Sequence, residues 1–228
     1  MSSRKARKGG WNPRKKAHKW PRAQNDWYVE PDDCTAALIS AEQLVGENYD
    51  PACGAGATMR ALRAAGLPAY GTDLVDRSSS PLVGSEGAPW FARVHDFTSD
   101  EPLWFSPDNV ICNPPFGRAL LAETFARRAL LIARRKVCLY VDTRFLGSER
   151  RAEGLFREPP PTRVHLLYPR PSCPPGEYLE EGGKAEGGTA SFCWIVWSKG
   201  EAPEPLRWLR RPSATAVAAE AEPLEEAA

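Results

Sequence analysis

The chain has 228 residues, 42% hydrophobic and 26% charged, values that suit one sizeable globular domain rather than two. No apolar run reaches membrane-spanning length and no hydrophobic core follows the basic N-terminus, which excludes a membrane or secretory reading and points to a cytoplasmic protein. Six cysteines, Cys34, Cys53, Cys112, Cys138, Cys173 and Cys193, lie scattered without a Cys-x-x-Cys pair; that spacing argues against a zinc site and a disulfide framework, and no metal is expected.

The net charge of +1 hides an asymmetry. Residues 1–25 hold nine Lys or Arg, Lys15 and Lys16 among them, and no carboxylate, whereas residues 214–228 hold four Glu and no basic residue. The first segment reads as a flexible basic arm, suited to salt-dependent attraction of phosphates or simply to solubility, with Trp11 and Trp20 available to stack on bases. The acidic stretch reads as a disordered tail within a C-terminal segment, residues 201–228, which leaves residues 26–200 for the folded domain.

Asp32 or Asp33 can cap a helix over residues 32–45, where Ala37, Leu38, Ala41, Leu44 and Val45 recur at helical spacing. The string Tyr49-Asp50-Pro51-Ala52-Cys53-Gly54-Ala55-Gly56 then ends a strand in a glycine-rich turn and opens a helix over residues 57–65, closed by Gly66 and Pro68. Such a turn brings N–H groups and the positive helix end against an anionic ligand, and glycine lets that ligand approach closely. Residues 69–73 form the second strand; its terminal Asp73 lies 23 residues after Asp50, where an acid is placed to bind ribose hydroxyls. Residues 91–97 give a third strand, ending in Asp96 and Phe97.

Asn109-Val110-Ile111-Cys112 is the fourth strand, and Asn113-Pro114-Pro115-Phe116 forces the chain out of the sheet, because each proline lacks an N–H and has φ fixed. In an open α/β sheet such an elbow stands at the carboxyl ends of the strands, where ligands bind. The Asn113 side-chain oxygen and the Pro114 carbonyl can both accept N–H bonds from a nucleobase amine, drawing its nitrogen toward a nucleophilic geometry. Phe116 can stack on the base once it has left the duplex. A helix over residues 118–135 follows, then a central apolar strand, residues 136–142. Two further strands, residues 163–168 and 190–198, flank a loop, residues 169–189, that reads as too polar and flexible for core.

Asn-Pro-Pro-Phe, with Asp-Pro-x-Cys-Gly-x-Gly upstream and four strand ends in order, resembles the S-adenosylmethionine-dependent methyltransferases that methylate adenine N6 in DNA, especially their small phage-type or orphan forms. The resemblance spans residues 27–197 and implies a seven-stranded Rossmann-like α/β sheet with the last two strands as an antiparallel hairpin at one edge. It implies S-adenosylmethionine as cofactor and DNA as partner, in a bacterial or phage-encoded protein. It assigns Tyr28, Glu30 and Pro31 to a lid over the cofactor's methionine end, a segment that also reads as an ordinary helix lead-in. Asp50 would recognise the ammonium, directly or through water, with Ala52, Cys53, Gly54 and Gly56 near the carboxylate. Asp96 and Phe97 would take the adenine, and Asn113, Pro114, Pro115 and Phe116 the catalysis. In the loop that covers an extruded base in that family, Phe145 is a candidate stacking wall or a core aromatic. Arg150 and Arg151 there are candidate phosphate contacts or helix-surface charges. Only 16 residues separate Asp96 from Asn113, too few for a large target-recognition domain, so loose sequence specificity is expected. RNA-adenine methylation, protein-glutamine methylation and non-catalytic nucleic-acid binding on the same fold stand as alternatives, and the oligomeric state is open.

Overall fold

The computed structural model describes residues 22–102, 105–116, 119–185 and 187–212; Lys15, Lys16 and the acidic tail lie outside them. The first helix, α1 (Asp32–Ala41), is capped by Pro31 and ends four residues before the sequence pattern does. Glu42 there turns to extended backbone and sends its carboxylate into the interior, against Lys136, Arg163 and His165. The chain then alternates through β1 (Asn48–Asp50), α2 (Ala57–Ala64), β2 (Ala69–Asp73), β3 (Phe91–Val94), β4 (Asn109–Cys112), α3 (Ala119–Ile132) and β5 (Lys136–Asp142). After α4 (Glu149–Glu153) come β6 (Arg163–Tyr168), α5 (Gly176–Glu180), β7 (Phe192–Ser198) and β8 (Arg207–Arg210).

The strands form one mixed sheet in the order β3-β2-β1-β4-β5-β7-β6-β8. Strands β3 to β5 run parallel, and β7 lies antiparallel between β5 and β6, with Leu139 opposite Ile195 and His165 opposite Trp194. Both faces are covered, so the central strands alternate between two cores rather than between core and solvent. Along β5, Cys138 and Tyr140 join Leu38, Met59, Leu62 and Trp194 on the α1 and α2 side. Val137, Leu139 and Val141 join Phe125, Ala126, Ala129 and Ile195 on the α3 side.

Two expectations are corrected. The sheet has eight strands, because β8 pairs in parallel with β6 and displaces the hairpin from the edge. This four-residue strand is too short to show a period, and Arg207 and Arg210 give it the charged character of an edge. Arg211, just beyond it, pairs with Asp33 of α1 at 2.7 Å and ties the edge to the helix layer. The loop 169–189 is not loose either: it carries α5, and Pro171, Ser172, Pro174, Pro175 and Gly176 are buried. Its backbone pairs with the segment before α1, Val29 N–H donating to the Pro174 carbonyl at 3.0 Å and Gly176 N–H to the Trp27 carbonyl at 3.0 Å. Among the described residues no helix is long and apolar enough to cross a membrane.

Candidate functional site

The strand order reverses between β1 and β4, and at such a switch point the loops leaving the carboxyl ends diverge and open a crevice. Asp50 ends β1, Cys112 ends β4 and Asn113 follows at once. A cavity of about 320 Å³ occupies this place, within the range of small-molecule and cofactor sites. Its walls come from the segment 22–30, the turn 51–55, Asp73 with Leu74, and Asn113 with Pro115.

Asn113 has a defined orientation. Its Nδ2 donates to the Tyr28 carbonyl at 3.0 Å and to Glu30 Oε2 at 2.6 Å. A backbone carbonyl accepts and cannot donate, so the NH₂ group must face this way. The other face of the amide, Oδ1, is shielded from solvent and has no hydrogen-bond partner among the described residues. A buried acceptor left unpaired costs about 1–3 kcal/mol, a cost that persists at sites where a ligand donates the missing bond.

Of the carboxylates at the cavity, Asp26 pairs with Arg22 at 3.0 Å, Glu30 and Asp73 line the inner wall, and Asp50 lies behind it. Glu30 is buried and takes Thr58 Oγ1 at 2.9 Å besides Asn113; burial pushes its carboxyl above the usual range, with the hydrogen bonds offsetting part of this. Asp50 lies behind the wall, accepting from Ala52 N–H at 2.9 Å, and burial drives it well above the ordinary aspartate range, with the negative fields of Glu30 and Asp73 adding to the rise. Asp73 Oδ2 accepts from Gly54 N–H at 2.8 Å, and its Oδ1 accepts from Val75 N–H and pairs with Arg77 at 2.9 Å. A further cation of the wall, Arg60, is held by Asp32 and by the carbonyls of Ala55 and Leu82. Buried acids in excess of available cations suit a positively charged ligand, whose approach would lower the cost of ionising them.

The glycine-rich turn works differently from the expectation. Gly54 N–H goes to Asp73 and Gly56 N–H to the Cys53 carbonyl, so these two donors are spent inside the protein. Gly56 lies at φ 82°, and a Cβ there would stand 2.1 Å from a Trp90 ring atom. At Gly54, φ 52°, a Cβ would stand 2.9 Å from the Trp27 indole nitrogen. Glycine is therefore demanded by left-handed backbone and by two tryptophans, one of which belongs to the cavity wall.

The structure brings Tyr28, Glu30, Ala52, Cys53, Gly54, Asp73, Phe97, Asn113 and Pro115 to one cavity. Asp50, Gly56 and Pro31 stand behind or beside it, and Pro114 is buried. Asp96 is exposed, and its Oδ1 accepts from the Thr98 N–H and hydroxyl; its neighbours His95 and Phe97 face the cavity instead. Phe116 packs edge-on against Phe192, 6.3 Å between centroids. Two candidates for the nucleic-acid surface are corrected. Phe145 is 8% exposed and packs on Phe156, which makes it a core ring rather than a stacking wall. Arg151 is buried, donates from Nε to the Phe145 carbonyl and lies 4.2 Å over that ring, so its charge is turned inward and not toward phosphate. Arg150 keeps an exposed side chain and pairs with Glu123.

Sequence reasoning missed Trp27 and Arg77. The Arg77 guanidinium lies 4.3 Å over the Trp27 ring while bonding Asp73, and Gly176 closes the other side of the indole. The only signal was the four-residue spacing from Asp73 to Arg77; the contact with Trp27 joins segments 50 residues apart.

No protein-family model and no curated protein matches the chain. Solved structures do. A Listeria monocytogenes protein assigned as a class I S-adenosylmethionine-dependent methyltransferase matches with a TM-score of 0.57 and 16% identity, over 86% of this chain and 70% of that one. A Vibrio vulnificus protein assigned as the modification subunit of a type I restriction enzyme matches with a TM-score of 0.57 and 12% identity over 85% of this chain, which spans 51% of that protein's length. A Pyrococcus horikoshii protein assigned as an RNA methyltransferase matches with a TM-score of 0.56 and 15% identity, over 79% of this chain and 90% of that one. At these identities the likeness is one of fold: the chain has the Rossmann-like α/β fold of class I S-adenosylmethionine-dependent methyltransferases.

Proposed function

We propose that the chain is an S-adenosylmethionine-dependent methyltransferase that modifies the N6 amine of adenine in DNA, acting on a base turned out of the stack. The single observation behind this reading is the Asn113 amide: the residue lines the cavity immediately beyond β4, its NH₂ group is held by Tyr28 and Glu30, and its Oδ1 is a buried acceptor without a partner among the described residues. An exocyclic amine carries the donor such an acceptor lacks. The acid-rich wall fits the cofactor, whose ammonium and sulfonium are both cationic, and the volume and the place at the switch point suit it.

When bound, S-adenosylmethionine supplies a methyl group already activated on a sulfonium, so the protein's work is alignment and amine activation. Asn113 Oδ1 and the Pro114 carbonyl accept the two N6 protons and draw the nitrogen lone pair out of the ring plane. Phe116 holds the base. The N6 proton, acidic once the nitrogen carries the methyl group, would leave to water, so no side chain is needed as a dedicated base. Asp50 would hold the cofactor's ammonium, directly or through water, and Asp73 its ribose, with the lone pairs that Gly54, Val75 and Arg77 leave. The neighbours assigned as a restriction-enzyme modification subunit and as an RNA methyltransferase support a nucleic acid as acceptor.

Incubation with methyl-labelled S-adenosylmethionine and, in parallel, unmethylated duplex DNA, single-stranded DNA, RNA and protein lysate tests this directly. N6-methyladenine in DNA is expected. Label in RNA or on protein glutamine would replace the substrate, and cofactor binding without transfer to any of them would overturn the enzymatic reading.

A further inference from the structure

We propose that Glu30 is the positioning residue that sets the orientation of the Asn113 amide, so that Oδ1 and not the NH₂ group meets the incoming amine. This rests on the reading of Asn113 as the residue that holds that amine. An asparagine amide has one accepting and one donating end of nearly the same shape, and rotation about χ2 exchanges them. For an amine substrate the two states are opposite in effect: one accepts its proton, the other sets donor against donor.

Two acceptors fix the choice. The Tyr28 carbonyl takes one Asn113 N–H and Glu30 Oε2 the other, at 2.6 Å. Turning the amide over would place Oδ1 against both. The bond to the Glu30 carboxyl is the shorter of the two. Glu30 is itself pinned, since Oε1 accepts from Thr58 Oγ1 at 2.9 Å and the side chain is 6% exposed. Thr58 belongs to the first turn of α2, directly after the glycine-rich turn. Thr58, Glu30 and Asn113 therefore form a chain of hydrogen bonds from the turn after β1 to the elbow after β4, across the switch point.

The full-length chain provides the test. Single-turnover methyl transfer at saturating S-adenosylmethionine and cofactor affinity by titration are measured for the native chain, Glu30→Ala and Glu30→Gln. Loss of the bond that fixes the amide predicts a rate constant lower by about tenfold in Glu30→Ala, with cofactor affinity held within about threefold. Glu30→Gln keeps an acceptor at the same reach and recovers most of the loss. A second readout does not need turnover. The Asn113 side-chain NH₂ resonances, identified by their disappearance in Asn113→Ala, should shift in Glu30→Ala and return toward native positions in Glu30→Gln. Unmoved resonances overturn the proposal. So does a loss of cofactor affinity that parallels the loss of rate, which would make Glu30 a cofactor contact. Should Glu30→Ala not fold, Glu30→Asp withdraws the carboxylate by about 1.5 Å and is read in the same way. If the native chain methylates no nucleic acid, the proposed function fails while the NH₂ shifts still decide the role of Glu30.

Discussion

The two ends of the sheet bury acids under opposite conditions. At the amino ends of β5 and β6, Glu42 meets Lys136 at 2.7 Å, Arg163 at 2.6 Å and His165 at 2.8 Å. Burial alone would raise its carboxyl, but the bonds from His165, Arg163 and Lys136 prevail and hold it below the usual range. At the carboxyl ends Glu30 and Asp50 are buried as deeply, yet their partners are neutral donors, so burial prevails and both carboxyls rise. One end pairs its acid with cations and holds strands together; the other buries carboxyls beside a cavity with neutral donors alone. Ionising a buried carboxyl without a cation beside it is expensive, and both such carboxyls stand at the switch point.

Breaking the self-neutralised end should cost most. Glu42→Ala leaves Lys136 and Arg163 buried without their central acceptor and should lower stability by about 3–5 kcal/mol, read as a fall in the urea midpoint. Next in size, Asn113→Ala should reduce turnover on the order of 10²-fold while cofactor affinity stays near the native value, measured by single-turnover transfer beside a binding titration. Asp50→Asn sharpens the contrast, because its two effects have opposite signs. Cofactor affinity should fall by about tenfold with the loss of a charged partner. Stability at neutral pH should rise, since the cost of burying an ionisable carboxyl is removed, and an unchanged or lower urea midpoint would refute that account of the cavity.

The pH dependence separates the two ends by sign. Glu42 has its folded pKa below its unfolded one, so its stabilisation is complete above the ordinary glutamate value of about 4.3 and is lost as pH falls through that value toward its lower folded pKa. Glu30 and Asp50 have folded pKa values above the unfolded ones, so their cost appears as pH rises above about 4 and is complete only above the raised values. Native and Glu42→Gln proteins compared by urea denaturation between pH 3 and about 5 should show a flatter acid limb in the variant. Cofactor affinity should rise with pH as Asp50 ionises. The smallest effect is expected at Arg150, whose exposed pair with Glu123 is worth less than about 1 kcal/mol, so Arg150→Ala should leave the midpoint nearly unmoved.

Much of this was written in short strings. Residues 69–73, 109–112, 136–142 and 163–168 are strands at the bounds the pattern predicts, because apolar runs closed by Asp, Pro or Gly leave few choices. The elbow was legible because two prolines leave the chain no way to continue the strand. Asp96 and Phe145 were not legible in the same sense. An acid before a Phe at a strand end can face the cavity or cap its own turn, and only the backbone beyond β3 turned Asp96 to Thr98. A lone Phe after a strand can stack on a base or fill a core, and the arrival of Phe156 and Arg151 decided for Phe145.

By itself the sequence determined the first seven strands in chain order, the glycines at left-handed backbone and the position of Asn113 just past a strand, since these follow from local φ preference and periodicity, but not β8. Only the tertiary structure decided which acids were neutralised, which way the Asn113 amide faced, and that Trp27 and Arg77 would close the cavity wall. Those outcomes depend on pairs tens of residues apart in the chain, such as Glu30 with Asn113 and Glu42 with Arg163, whose energies appear only when burial removes water from both partners.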